Sequence, residues 1–426
     1  MTEAHVHSHQ HPAGAAPPSG RGAGSTLALI SLSHGINHAQ GALMPLVYPA
    51  ILREFGVGYG ELGVMLGVAS GVGGGMQLVA GALGTVVRRH ALLGAGNLAV
   101  ALCVALTATA QGFSQFFLWN VGARVASAAQ HPVGSSLLAH QFSHHRLGTA
   151  LAAHFSAGNL GTAVIPFVAA LLISLWGWRL TTVLFALPGA LIGLAIWRWL
   201  GDPRQATEAG SRHRDAGPWR GGWAVLSHPR LRWILLATMV AAGGSGHGVL
   251  SVYLPLYLND ALHLEPAAMG FIFSLFTTGS VVGPLLGGRL VDRFDRQRVV
   301  LGAYGVAAVV SFAFPWSAAQ PLLLPFSALL LGTAAFGINP ILQTVVAQAS
   351  EGRGRDLAFA LFYTSAFLAS TVWSPVIGFI AQGLGLEAAF AAMAASFVLA
   401  SLCLLRCRLD DAAPEPERAS LSVDAA

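Results

Sequence analysis

The apolar positions of this chain form long, nearly unbroken runs instead of the stripes of amphipathic helices. Twelve runs are read at 25–50, 61–87, 91–110, 113–141, 148–174, 179–200, 231–258, 267–288, 299–318, 321–348, 356–382 and 386–406. A helix rises ~1.5 Å per residue, so ~20 apolar residues cross ~30 Å of hydrocarbon. Each run therefore predicts one membrane-spanning helix. The longest polar interruption, 201–230, divides six runs from six. The expected organisation is a disordered tail 1–24, a bundle 25–200, a linker 201–230, a second bundle 231–408 and a tail 409–426.

Composition strengthens this reading. Of 426 residues, 54% are hydrophobic and 10% charged, against about 25% charged in a soluble domain. The first 24 residues are polar, and no cleavable signal peptide is expected. Cys103, Cys403 and Cys407 lie in apolar stretches at no metal-ligand spacing, so neither a disulfide framework nor a Cys metal site is expected.

The basic residues, all arginine, orient the chain. With the N-terminus inside, every arginine except Arg53, Arg179 and the membrane-embedded Arg124 falls in an inner loop or tail. The positive-inside rule then places both termini in the cytoplasm. The isoelectric point near 9.6 reflects this distribution and not a nucleic-acid surface.

An internal repeat follows. His38 and His247, Arg146 and Arg355, and Pro166 and Pro375 are each 209 residues apart, and His131-Pro132 recurs as Asn339-Pro340 at 208. Both halves start on the same side, so the repeats are parallel. The predicted fold is an all-α polytopic membrane protein of twelve transmembrane helices in two parallel six-helix repeats. A substrate site is expected between the halves near the midplane.

Polar residues inside the runs supply the candidate site. Arg124 lies near mid-bilayer, where an arginine costs ~2.5–3.5 kcal/mol on insertion scales and should face a cavity or partner. Ser127, His131 and Ser135 share its helix face. In the first run, His34, Asn37, His38 and Gly41 share a face, and Pro45 and Pro49 predict a bend. His247 and Tyr253 in the seventh run, Asn339 and Gln343 in the tenth, and Tyr363 in the eleventh complete the candidate substrate contacts. His154, Gly158 and Gly161 share a face that reads as packing. No Asp or Glu lies in the interior of any run, Glu61, Asp356 and Glu387 standing at run ends, so His34, His38 and His247 are the titratable groups available for proton coupling. Arginine plus histidine makes the cavity electropositive and favours an anionic or amphipathic substrate.

The loop Gly288-Arg-Leu-Val-Asp292-Arg293-Phe-Asp295-Arg296-Gln-Arg298 resembles the cytoplasmic motif of the major facilitator superfamily, with Asp295 where glycine is usual. The first-half counterpart, from Gly81 to His90, has no Asp. Arg124 in Ala-Arg-Val-Ala-Ser-Ala-Ala is similar to the family's helix-four arginine, and Trp178-Arg179 also resembles the family. Ser33-His34-Gly-Ile-Asn37, His131-Pro132 and Gly158-Asn159-Leu-Gly161 resemble the fosmidomycin-resistance-type exporters. The resemblance implies the major facilitator fold and proton-driven efflux, with Gly288, Asp292, Arg293, Arg296 and Arg146 at the cytoplasmic gate. In physical terms, Asp292 is expected to meet Arg146 and the N–H groups opening helix five in the outward-facing state.

The expected function is secondary active transport of a small anionic or amphipathic molecule across the cell inner membrane by alternating access, as a proton-coupled efflux antiporter. The alternative is proton-coupled uptake of a carboxylate-type metabolite. No cofactor, metal or nucleic acid is expected; the partners are substrate, protons and the lipid bilayer, and the chain is expected to be a monomer. A receptor that binds without transporting is the weaker rival. A membrane metal oxidase built on His34-x-x-x-His38 and His140-x-x-x-His144-His145 is disfavoured, because these pairs fall at different membrane depths and no third box exists. His5, His7, His9 and His11 in the tail can bind zinc or nickel weakly, but no Cys or carboxylate joins them.

Overall fold

The computed structural model describes residues 22–200, 227–350 and 355–409. The histidine-bearing N-terminal tail, most of the expected linker and most of the C-terminal tail lie outside the described residues.

The first half comprises α1 (Ala23–Phe55), α2 (Tyr59–Val86), α3 (Arg89–Thr107), α4 (Phe113–Ser127), α5 (Gln130–Gln141) and α6 (His144–Trp199). The second comprises α7 (Pro229–Ala241), α8 (Val249–Leu256), α9 (Pro266–Val291), α10 (Arg296–Ser317), α11 (Leu323–Ala349), α12 (Arg355–Leu384) and α13 (Leu386–Leu404). Among the described residues, nine helices are long and apolar enough to span a bilayer. One of these has 54 residues; at ~1.5 Å per residue it is far too long for a single crossing. It turns at Gly177, whose φ of 74° favours a residue without Cβ. That helix thus supplies crossings five and six. Helix α1 supplies the first crossing and α4 with α5 the fourth, giving twelve.

Segments four and seven depart from the continuous helices expected. The fourth tightens at Ala128-Ala129, between α4 and α5, where both residues keep right-handed helical dihedrals and the Ala128 N–H bonds the Val125 carbonyl three residues back. The seventh passes through a 3-10 turn at Ala242–Gly244, an extended Ser245, and resumes as α8, ending in a π turn at Tyr257–Ala261. The Gly243-Gly244-Ser245-Gly246 run lowers helix propensity there. Helix α1, in contrast, runs through Pro45 and Pro49 without a break.

Exposure is inverted relative to a soluble protein. Leu191 is 68% exposed and Val309 67%, while Ser33, His154, Thr181 and Ser396 are fully buried. Trp176, Trp197 and Trp316 are exposed near helix ends, where indole rings suit the interfacial belt.

Close backbone contacts hold each half together. A Cβ on Gly161 would stand 2.3 Å from the Gly35 carbonyl oxygen, and one on Gly279 2.1 Å from the Gly332 carbonyl carbon. Small residues at such crossings are the membrane route to tight packing. The halves meet along α2 with α12 and along α6 with α9. At the end of the bundle opposite the chain ends, Tyr59 Oη donates to Asp260 Oδ2 at 2.8 Å and Gly60 N–H donates to Gln382 Oε1 at 2.8 Å. Phe167 and Phe271 also face each other there, with ring centroids 6.5 Å apart. Toward the other end, Gly81 and Gly84 of α2 face Pro132 and Val133 of their own half, and Gly148 and Gly288 have open space where a Cβ would stand. Among the described residues, the hydrogen bonds that join α2 to the second half lie at the far end, called closed here; the end carrying residues 22 and 409, where Arg146 and Asp292 stand exposed and unpaired with each other, is called open.

Candidate functional site

Five histidines converge near mid-depth. His34 and His38 are one helical turn apart on α1. Their rings meet edge-on, with centroids 4.6 Å apart. His131, at the start of α5 just past the tightened turn, lies 5.1 Å from His34 and 6.1 Å from His38. His154 of α6 stacks on His34 at 4.3 Å. From the other half, His247 stands 6.5 Å from His38 and packs on Phe336 at 4.5 Å.

Hydrogen bonds fix two of these rings. His34 Nδ1–H donates to the His154 carbonyl at 2.9 Å. His38 Nδ1 lies 2.9 Å from Thr162 Oγ1, whose own proton goes to the Gly158 carbonyl at 3.2 Å. Thr162 therefore accepts from His38 Nδ1–H. Gly158 makes room for the first ring: a Cβ there would meet His34 Cε1 at 2.8 Å. Behind the cluster, Ser33 Oγ lies 3.0 Å from Asn97 Oδ1 and 3.2 Å from Gln130 Oε1, joining α1, α3 and α5.

Arg124 and Ser127 line a pocket of about 480 Å³ with Asn37, Gln40, Gly41, Asn120 and Thr107. Its walls are α1, α3 and α4. The guanidinium is exposed to this space, and among the described residues no carboxylate or hydrogen-bond acceptor pairs with it. Gln40 is anchored by its own bond to the Phe185 carbonyl at 3.0 Å.

The second half has a pocket of about 400 Å³ on the repeat-equivalent elements, lined by Thr238, Ser245, Tyr304, Asn339 and Ser370. Among the residues read from sequence, Asn339 therefore faces a pocket. Tyr253 does not: it is fully buried, and its hydroxyl donates to the Ser374 carbonyl at 3.2 Å. Gln343 is half-buried outside both pockets. Tyr363 is exposed and packs on Phe359 and Phe362.

At the open end, Arg146, Asp292 and Arg293 are exposed, and no ion pair joins Asp292 to Arg146. The helix-capping carboxylate is Asp295, which accepts the Arg298 N–H at 3.0 Å and starts α10. Arg296 donates to Gln348 Oε1. At the closed end, Glu54 holds Arg179 at 2.7 Å and Trp178 Nε1 at 2.9 Å, while Arg179 also donates to the Ala110 carbonyl at 2.8 Å.

Several contributors escaped the sequence reading. Asn97, Asn120 and Gln130 are polar residues within apolar runs, a signal that was available. Thr162 carried none, because a threonine in a membrane helix commonly bonds its own helix. His154 was read as packing; its ring joins the histidine cluster.

A family model described as the Major Facilitator Superfamily matches residues 30–265 and 244–423. The chain is 24% identical over 332 residues to the probable L-galactonate transporter of Escherichia coli (strain K12), covering 74% of this chain and 73% of the relative. It is 24% identical to the 4-hydroxybenzoate transporter PcaK of Pseudomonas putida, over 74% of this chain and 76% of that one. It is 26% identical to the chloramphenicol efflux pump Rv0191 of Mycobacterium tuberculosis (strain ATCC 25618 / H37Rv), over 47% and 48%. In fold it is similar to an inward-facing, unoccupied bacterial homologue of the lysosomal transporter Spinster, with a TM-score of 0.73 at 16% identity, covering 92% of this chain and 99% of that one. The D-xylose–proton symporter gives 0.71 at 15% identity, over 89% and 96%. The matched family model spans both halves, and the chain belongs to the Major Facilitator Superfamily, a transporter and not an enzyme.

Proposed function

We propose that this chain moves a small anionic or amphipathic molecule across the cell inner membrane by alternating access, coupled to protons and in the direction of efflux. The observation that carries the substrate class is Arg124, a guanidinium inside the membrane that lines this pocket and is hydrogen-bonded to no acceptor among the described residues. An anion in that pocket would supply the missing partner, through charge-assisted hydrogen bonds. Asn37 and Asn120 add neutral donors and acceptors beside it. On this reading the open end faces the cytoplasm, in line with the arginine distribution, and the conformation is inward-facing. The chain works as a monomer, with the halves rocking about the site.

Efflux is favoured by the helix-one, helix-four and helix-five stretches that resemble the fosmidomycin-resistance-type exporters. Uptake of a carboxylate is the second reading. It is favoured by the two relatives that cover 74% of the chain, whose names specify the carboxylates L-galactonate and 4-hydroxybenzoate.

The test is transport in proteoliposomes under an imposed pH gradient of either sign, with L-galactonate, 4-hydroxybenzoate, the phosphonate fosmidomycin and the neutral chloramphenicol as solutes. Arg124→Ala should slow the anions at least ~10-fold and leave a neutral solute nearly unchanged. Equal losses for both classes would remove the case for charge recognition. The sign of gradient that drives accumulation gives the direction.

A further inference from the structure

The histidine cluster is built like a metal site. Three of its members, His34, His38 and His131, offer ring nitrogens that all lie within 4.8 Å of one another. His34 and His38 sit at i and i+4, on one helix face, the spacing that lets two imidazoles reach one ion. His131 comes from a second element, just past the tightened turn between α4 and α5.

The hydrogen bonds set the tautomers as metal ligation requires. In His34 the Nδ1–H is given to the His154 carbonyl, and in His38 to Thr162 Oγ1. Each ring then presents an unprotonated Nε2 lone pair. Metal-ligating histidines are held in this way, by an acceptor on the opposite ring nitrogen. The Nε2 of His34 has no protein partner: the residue is 1% exposed and this nitrogen has no hydrogen bond. Beside it, His154 is fully buried with neither ring nitrogen bonded. Burying such a group without a partner costs ~1–3 kcal/mol, which an ion on the His34 Nε2 would offset for that ring.

We infer that His34, His38 and His131 form a binding site for one divalent transition-metal ion of the zinc class. Neutral imidazole suits zinc, copper and nickel and disfavours magnesium and calcium. Tetrahedral zinc, with Zn–N of about 2.0–2.1 Å, holds its nitrogens about 3.4 Å apart; modest ring rotations close the present spacing. Three protein ligands leave a fourth position for water or another small ligand. The ion would tie α1 to α5 just past the tightened turn in segment four. Because protons compete for the same lone pairs, metal affinity falls on acidification. The inference does not depend on which solute is transported or in which direction.

The test uses the full chain without an affinity tag, with His5, His7, His9 and His11 all replaced by Ala so that the tail cannot bind metal. The chelator-stripped protein is titrated with Zn2+ in competition with a chromogenic chelator, and with Co2+ by visible absorption. One ion per chain is expected, with the intense ligand-field bands of tetrahedral Co2+. His34→Ala, His38→Ala and His131→Ala should each weaken binding at least 10-fold, and His263→Ala at the far end should not. Thr162→Val, a positioning change, should weaken it about 10-fold, with Thr162→Ser restoring it. No stoichiometric ion on the parent, an octahedral Co2+ spectrum, or full affinity in all three histidine variants would each overturn the site. Metal-free melting curves identify any variant that fails to fold; the Co2+ spectrum of the parent and the Thr162 pair then decide.

Discussion

The phenol of Tyr59, at the start of α2, donates a 2.8 Å hydrogen bond to Asp260, in the π turn that ends segment seven. The two residues belong to different halves. One turn away, Gln382 of α12 accepts the Gly60 N–H. These bonds form a latch at the closed end, and both must break for the halves to part there.

Weakening this latch should shift the conformational balance. A hydrogen bond to a charged acceptor contributes ~1.5–3 kcal/mol, so Tyr59→Phe should lower the ratio of the present conformation to the opposite one by roughly 10-fold. Spin labels at Gly148→Cys and Gly302→Cys, in a background without Cys103, Cys403 and Cys407, should report a larger population with short distances across the open end. An unchanged distance distribution would mean the latch does not bias the equilibrium.

Packing predictions follow from where a methyl group fits. A Cβ at Gly161 meets the Gly35 carbonyl at 2.3 Å, a backbone contact that cannot rotate away. Gly161→Ala should push α1 from α6 and destabilise by ~1–3 kcal/mol, the usual cost of overpacking. Gly75 has nothing within 4 Å, so Gly75→Ala should be neutral or slightly stabilising through helix propensity. Thermal unfolding in detergent measures both. A melting temperature for Gly161→Ala equal to that of Gly75→Ala would refute the contact argument.

Much of the fold was legible in the sequence because the bilayer imposes length and polarity on every helix at once. The repeat was legible for a physical reason too: equivalent positions in two parallel halves face one axis. His38 and His247, read as a matched pair from their spacing, stand across the interface with ring centroids 6.5 Å apart and planes at 90°. The tightened turn in segment four and the break in segment seven were not legible from hydropathy, which continues through Ala128-Ala129 and through the glycines near 243. Nor was the position of Tyr253, since an aromatic on a polar-looking face serves packing equally well. The convergence of His34, His131 and His154 depends on how α1, α5 and α6 cross, and sequence spacing holds no information about that crossing.

The open end yields a prediction about the conformation opposite to this one. Asp292 and Arg146 lie on different halves at that end and make no ion pair here. If the halves close over them, the pair should form. Asp292→Asn should then slow transport and favour the present conformation, and the charge exchange Asp292→Arg with Arg146→Asp should recover part of the rate. Should Asp292→Asn leave both the transport rate and the label distances unchanged, the gate assignment fails.

The geometry of Arg124 allows a sharper test than removal of its charge. Its guanidinium is planar and presents paired N–H groups that match a carboxylate or phosphonate; an ammonium is a point charge on a flexible stem. Arg124→Lys keeps the charge in the 480 Å³ pocket beside Asn37 and Asn120 but loses the paired donors. If recognition of the anion is bidentate, KM should rise about 10-fold, matching ~1.4 kcal/mol, with a smaller change in maximal rate. Arg124→Gln, which removes the charge and keeps a neutral donor, should be worse by at least another factor of ~10. A lysine variant with wild-type KM would instead mean that the pocket senses charge alone, and that the planar fork has no part in choosing the substrate.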